Sequence, residues 1–152
     1  MTAALITLFR QAATEMSTRG HHQGHFTCPT GEVCTVGALS VAVTGNPVPA
    51  EKVDASTWAA IEYLSPRIDS NIVDEDPIER IADWNDRTST TPSDVLAVLE
   101  AAANALEAEL AEADLAAHRT FGRDETRWTK GQGVSYMEAI ATVYQQHGQA
   151  AA

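Results

Sequence analysis

Between Thr91 and His118 the chain carries its strongest structural instruction. Thr91-Pro92-Ser93-Asp94 is a helix start, with a capping hydroxyl, proline in the first turn and an acid three positions on. Behind it Val95, Leu99, Ala102, Leu106, Leu110 and Ala113 recur at helical spacing as a narrow apolar seam. A single helix over roughly Pro92 to Ala117 follows, and it has to serve as a spine on which shorter elements bury their apolar faces. Alanine and leucine dominate the apolar set while aromatics make up only 6%. That composition suits helices packed closely through small side chains better than sheet interiors. The predicted fold class is all-α, a compact bundle of about six helices.

Leu5, Leu8, Phe9, Ala12, Ala13 and Met16 predict a first amphipathic helix from about Thr2 to Ser17. From Arg19 to Glu32 the chain is rich in breakers and has no period. It reads as a polar loop between the first two helices, with a short extended piece at His25 to Cys28. A second helix is expected from near Val33, with Val36, Leu39 and Val43 inward, room for a close neighbour at Gly37 and Ala38, and Gly45 as terminator. Asp54 caps a third that holds Trp58, Ile61, Tyr63 and Leu64 and ends by Pro66. Asp76-Pro77-Ile78-Glu79 opens a fourth, with Ile78, Ile81 and Trp84 on its inner side. Beyond the spine, Ser135-Tyr136-Met137-Glu138 is a capping box for a last helix carrying Ile140, Ala141 and Tyr144 and closed by Gly148. Residues 1–117 are thus expected to form the helical domain, and 118–152 a basic connector and C-terminal helix packed on or appended to it.

A chain of 152 residues with a formal charge of −11 is long enough for one self-sufficient core. Its charge repels phosphates, which disfavours nucleic acid as a partner. No apolar run approaches the roughly 20 residues a membrane span needs, and the N-terminus lacks a basic signal region, so a cytoplasmic location is expected. Cys28 and Cys34, the only cysteines, are then free thiols or metal ligands.

Gly31-Glu32-Val33-Cys34-Thr35-Val36-Gly37-Ala38-Leu39 is answered fifty residues on by Trp84-Asn85-Asp86 and a threonine-rich helix start, Thr88 to Val95. Over roughly Ala4 to Ala103 this pattern resembles domain of unknown function 6197, a family of actinobacterial and phage proteins. The resemblance implies a helical domain of such an origin, in the host cytoplasm if phage-encoded, and it implies no activity. The loop histidines His21, His22 and His25 depart from the family's usual residues there, and the chain after about Ala113 reads as an added tail.

Several residues have the chemistry for a site. Cys34 stands at a helix start, where the dipole favours thiolate. A cysteine hydrolase or transferase built on it needs a base from His21, His22, His25, His118 or His147, with Asn85 or Asp86 as orienter. The alternative is a small buried residue under Gly37 and Leu39. His21, His22, His25, Cys28 and Cys34 offer nitrogen and sulfur ligands for a small metal-binding module, but not at the paired spacing of structural zinc sites. Trp84-Asn85-Asp86 reads first as packing plus a turn.

The spine carries Asp94, Glu100, Glu107, Glu109, Glu112 and Asp114 with no lysine or arginine between Arg87 and Arg119. Glu100, Glu107 and Asp114, seven apart, share a side. Arg119, Arg123, Arg127 and Lys130, interleaved with Phe121 and Trp128, follow as a basic aromatic tail. No catalytic or cofactor motif is complete and no cofactor is expected. The leading expectation is a non-enzymatic interaction protein that holds a protein partner, or itself, through the acidic face or the basic tail. The cysteine enzyme, the metal module and a DNA mimic are the alternatives.

Overall fold

A computed structural model describes residues 2–49, 53–68 and 76–121, with side chains as far as residue 116. Five α-helices lie in it: α1 (Thr2–Arg19), α2 (Thr35–Thr44), α3 (Ala55–Leu64), α4 (Pro77–Asn85) and α5 (Pro92–Phe121). A single 3-10 turn, Ser65–Arg67, extends α3 and contains Pro66. The described residues hold no strand. Among the described residues the count is five rather than about six, and the helix expected over 135–148 falls outside them. No described helix is long and apolar enough to cross a membrane.

Local chemistry sets each boundary. α1 runs past Ser17 to Arg19, whose guanidinium bonds Glu15 one turn back at 2.7 Å; Gly20 then closes the helix, donating its N–H to the Met16 carbonyl. Asp54 and Asp76 accept from the free amides that open α3 and α4. The start of α2 differs from the expected one. The helix begins at Thr35 rather than near Val33, with Cys34, placed at a helix start by the sequence, as its cap, because Val33 is engaged in single-residue bridges to both His21 and Thr27.

The chain divides into two compact units, Met1–Leu106 and Glu107–Ala152. In the first, α1 packs mainly on α2, and Phe9, Met16, Leu39, Ile61, Leu64, Ile81 and Leu99 are fully enclosed. α5 supplies Val95, Leu99, Ala102, Ala103 and Leu106 to that core. Its seam is only half-buried at Leu110 and Ala113.

Candidate functional site

Residues 20–34 form an irregular segment wrapped around Val33, which is entirely buried. The Val33 N–H donates to the Gly20 carbonyl at 3.0 Å and its carbonyl accepts from His22 N–H at 2.9 Å, while Cys34 N–H donates to the Phe26 carbonyl at 3.1 Å. Cys28-Pro29-Thr30-Gly31 is a tight turn: the Gly31 N–H reaches the Cys28 carbonyl at 3.0 Å, and φ at Gly31 is +95°. Proline in second place and glycine in fourth fit that geometry.

This segment is clamped from outside by Asn85, the last residue of α4, with no exposed surface. Asn85 Oδ1 accepts from the Thr35 N–H (3.0 Å) and hydroxyl (2.8 Å) and lies 3.0 Å from His21 Nε2. Its Nδ2 donates to the His22 carbonyl (3.0 Å) and to Asp86 Oδ1 (2.8 Å). The amide orientation is fixed by these partners, since a backbone N–H can only donate and a carbonyl can only accept. The His21 bond accordingly requires a proton on Nε2. Two further bonds close the clamp: Gly24 N–H to Asp86 Oδ1 at 2.8 Å, and Gln23 Nε2 to the Asn85 and Arg87 carbonyls at 3.0 and 2.8 Å.

The structure separates the residues that the sequence grouped. His21 goes to Asn85. Cys34 is 6% exposed and its Sγ accepts from the Gly37 N–H at 3.3 Å as the cap of α2; no histidine bonds that sulfur among the described residues. His22 and His25 stack with ring centroids 6.4 Å apart. His22, Cys28 and Glu32 converge, one donor atom from each lying within 4.8 Å of the others, all three residues half-buried. Sequence reasoning missed Glu32, although the Pro29 to Gly31 turn was the signal that Cys28 and Glu32 double back on each other. Glu100, Glu107 and Asp114 are exposed on α5. The side chains of Arg119, Arg123, Arg127, Trp128 and Lys130, like His118 and His147, lie outside those described.

Burial pushes the Cys34 thiol up, the Gly37 N–H offsets this in part, and the charge of Asp86 adds to the rise. The folded thiol therefore keeps its proton while the unfolded one ionises near about pH 8.5. Its contribution to stability is complete below that pH. As pH climbs further the contribution is lost, by at most about 1.4 kcal/mol per pH unit until the folded value is reached. Urea melts between pH 8 and 10 should show that extra alkaline slope in the wild type and not in Cys34→Ala. Native protein at neutral pH should take up iodoacetamide at Cys28 well before Cys34, and mapping the modified peptides reads this out. Faster labelling of Cys34 would mean an activated nucleophile.

Cys34 also lines the edge of a cleft of about 370 Å³ between residues 24–27, Val48 and the outer side of α4. Phe26, Val48, Ile78 and Ala82 give it apolar walls, and Glu79, Asp83 and Asp86 add carboxylates. Val48 is 48% exposed, a large apolar side chain left open to solvent.

Fold and site together define a small helical domain whose polar loop is pinned to a buried asparagine and bordered by an acidic cleft. The chain belongs to the family of unknown function DUF6197, whose model matches residues 1–105. That match takes in the loop, Asn85 and every residue lining the cleft. Neither the curated proteins nor the solved structures contain a match.

Proposed function

We propose that this chain, of the actinobacterial or phage origin its resemblance implies, is a non-enzymatic interaction protein that takes a basic, amphipathic peptide segment of a protein partner. The cleft beside α4 carries the reading. Its apolar walls suit an aliphatic or aromatic side chain, and Glu79, Asp83 and Asp86 suit a lysine or arginine next to it. The formal charge of −11 favours encounter with a cation. A raised thiol pKa at Cys34 supports binding over nucleophilic chemistry in that cleft.

The test is fluorescence polarisation of a labelled alternating Lys-Leu peptide against the full chain, with a Glu-Leu peptide as the comparison. The basic peptide should bind and the acidic one should not. Glu79→Gln combined with Asp83→Asn should weaken binding about three- to tenfold, the effect of removing exposed charge pairs. Raising salt toward 1 M, where the Debye length is about 3 Å, should do likewise. Equal binding of the two peptides, or indifference to the double substitution, overturns the reading.

A further inference from the structure

We propose that His22, Cys28 and Glu32 form a zinc site, with a fourth, solvent-facing position filled by water. It is separate from the cleft and does not depend on what the cleft binds. The three side chains supply nitrogen, sulfur and oxygen from one short stretch of chain, and their donor atoms already lie within 4.8 Å of one another. Tetrahedral zinc with bonds of about 2.0–2.3 Å holds its ligands roughly 3.3–3.8 Å apart. The Cys28 sulfur and Glu32 oxygen, now 2.9 Å apart, have to open by about 0.6 Å, and a pair near the 4.8 Å limit has to close by about 1 Å, both within the reach of half-buried side chains on a loop.

The backbone under those side chains is fixed. The turn at Cys28 to Gly31 holds Cys28 and Glu32 together, the His22 carbonyl is held by Asn85, and the His22 N–H is bonded to Val33. The Glu32 stem lies against Gly20, where an added Cβ would stand 3.1 Å from its Cγ. Present contacts also resemble a site awaiting a cation. Cys28 Sγ donates to Glu32 Oε2 at 2.9 Å, and Thr30 Oγ1 donates to the same oxygen at 2.7 Å. These bonds hold the Glu32 carboxyl below its ordinary range, with the charge of His22 helping.

On binding, the Cys28 S–H bond breaks, its electron pair forms the sulfur–zinc bond and the proton leaves to solvent. His22 gives a neutral ring nitrogen and Glu32 an oxygen already ionised. One thiolate and one carboxylate then neutralise the dication. A mixed nitrogen, sulfur and oxygen set selects zinc over magnesium or calcium, which take oxygen alone. Thr30 keeps its bond to Glu32 and orients the carboxylate, the usual task of an outer partner.

The full chain, stripped with EDTA, is titrated with zinc by calorimetry in two buffers of different ionisation enthalpy, and with cobalt by absorbance. One zinc should bind per chain with release of about one proton. Cobalt should give a thiolate charge-transfer band and the intense visible bands of a four-coordinate ion. Cys28→Ser, His22→Ala and Glu32→Gln should each weaken zinc by at least the about ten- to hundredfold that losing an outer partner costs, with circular dichroism confirming that the variants are folded. Zinc binding weaker than millimolar in the wild type, or a charge-transfer band that survives Cys28→Ser, overturns the proposal.

Discussion

Gly37→Ala should lower stability by about 3 kcal/mol, the upper part of the range for forcing an extra carbon into a packed interior. Helix propensity alone points the other way, because glycine to alanine inside a helix is ordinarily worth about 1 kcal/mol in alanine's favour. The close approach decides the sign. A Cβ at Gly37 would overlap the Phe26 carbonyl oxygen and stand 3.4 Å from the Pro47 carbonyl oxygen. Both obstacles are backbone, not the yielding end of a side chain. The Phe26 carbonyl is moreover held by the Cys34 N–H, so moving it breaks the bond that sets the loop beside α2. A chemical melt gives the free energy and a thermal melt should shift by about 6–12 °C. As a reference, Ala38→Gly in the same helix should cost close to the propensity difference plus the loss of one buried methyl. A Gly37→Ala protein as stable as wild type would show that residues 24–27 do not sit on α2.

That glycine marks how far the sequence could be read. Gly37 and Ala38 advertise a close neighbour, but nothing local says that the neighbour is the carbonyl of Phe26, eleven positions back across an aperiodic loop. Elements specified by neighbours in sequence were legible. The spine helix is written in its Thr91 to Asp94 start and its seam, and it starts at Pro92 as expected; Thr91 and Asp94 bond each other reciprocally there, at 2.6 Å between side chains. Gly45 ends α2 in the left-handed region, again from local chemistry. α2 starts at Thr35, just after the expected Val33 and with Cys34 at the helix start as read, because Val33, apolar and next to a helix, is used by the loop instead. In the site, His22 and Cys28 were visible as candidate ligands by residue type. Glu32 was hidden in a turn, and the departure of His21 toward Asn85 depends on a contact 64 positions away.

Asn85 was the least legible residue of all. A helix-ending asparagine reads as a turn former that tolerates the left-handed region, yet no non-glycine described residue has positive φ, and Asn85 is instead the buried junction between α4, α2 and the loop. Asn85→Asp should therefore cost about 3 kcal/mol or more, although it changes a single atom. Oxygen in place of Nδ2 loses the donations to the His22 carbonyl and Asp86, and it sets a buried charge against a second carboxylate. Full burial and Asp86 push the introduced carboxyl above its unfolded pKa of about 3.9, against the opposing pull of the Thr35 and His21 donors on Oδ1. A raised group stabilises fully below the unfolded pKa and loses that contribution as pH rises through the folded one. The deficit relative to wild type should consequently shrink on acidification, as the neutral acid regains a donor. Asn85→Leu, which cannot titrate and strands the Thr35 N–H and hydroxyl without an acceptor, should show a deficit that does not close with acid. Amide exchange should quicken first at Gly24 and Thr35, whose N–H groups are held by Asp86 and Asn85, and only later in the core of α1 and α5. If the two variants melt alike at every pH, the amide is not the clamp that holds the loop.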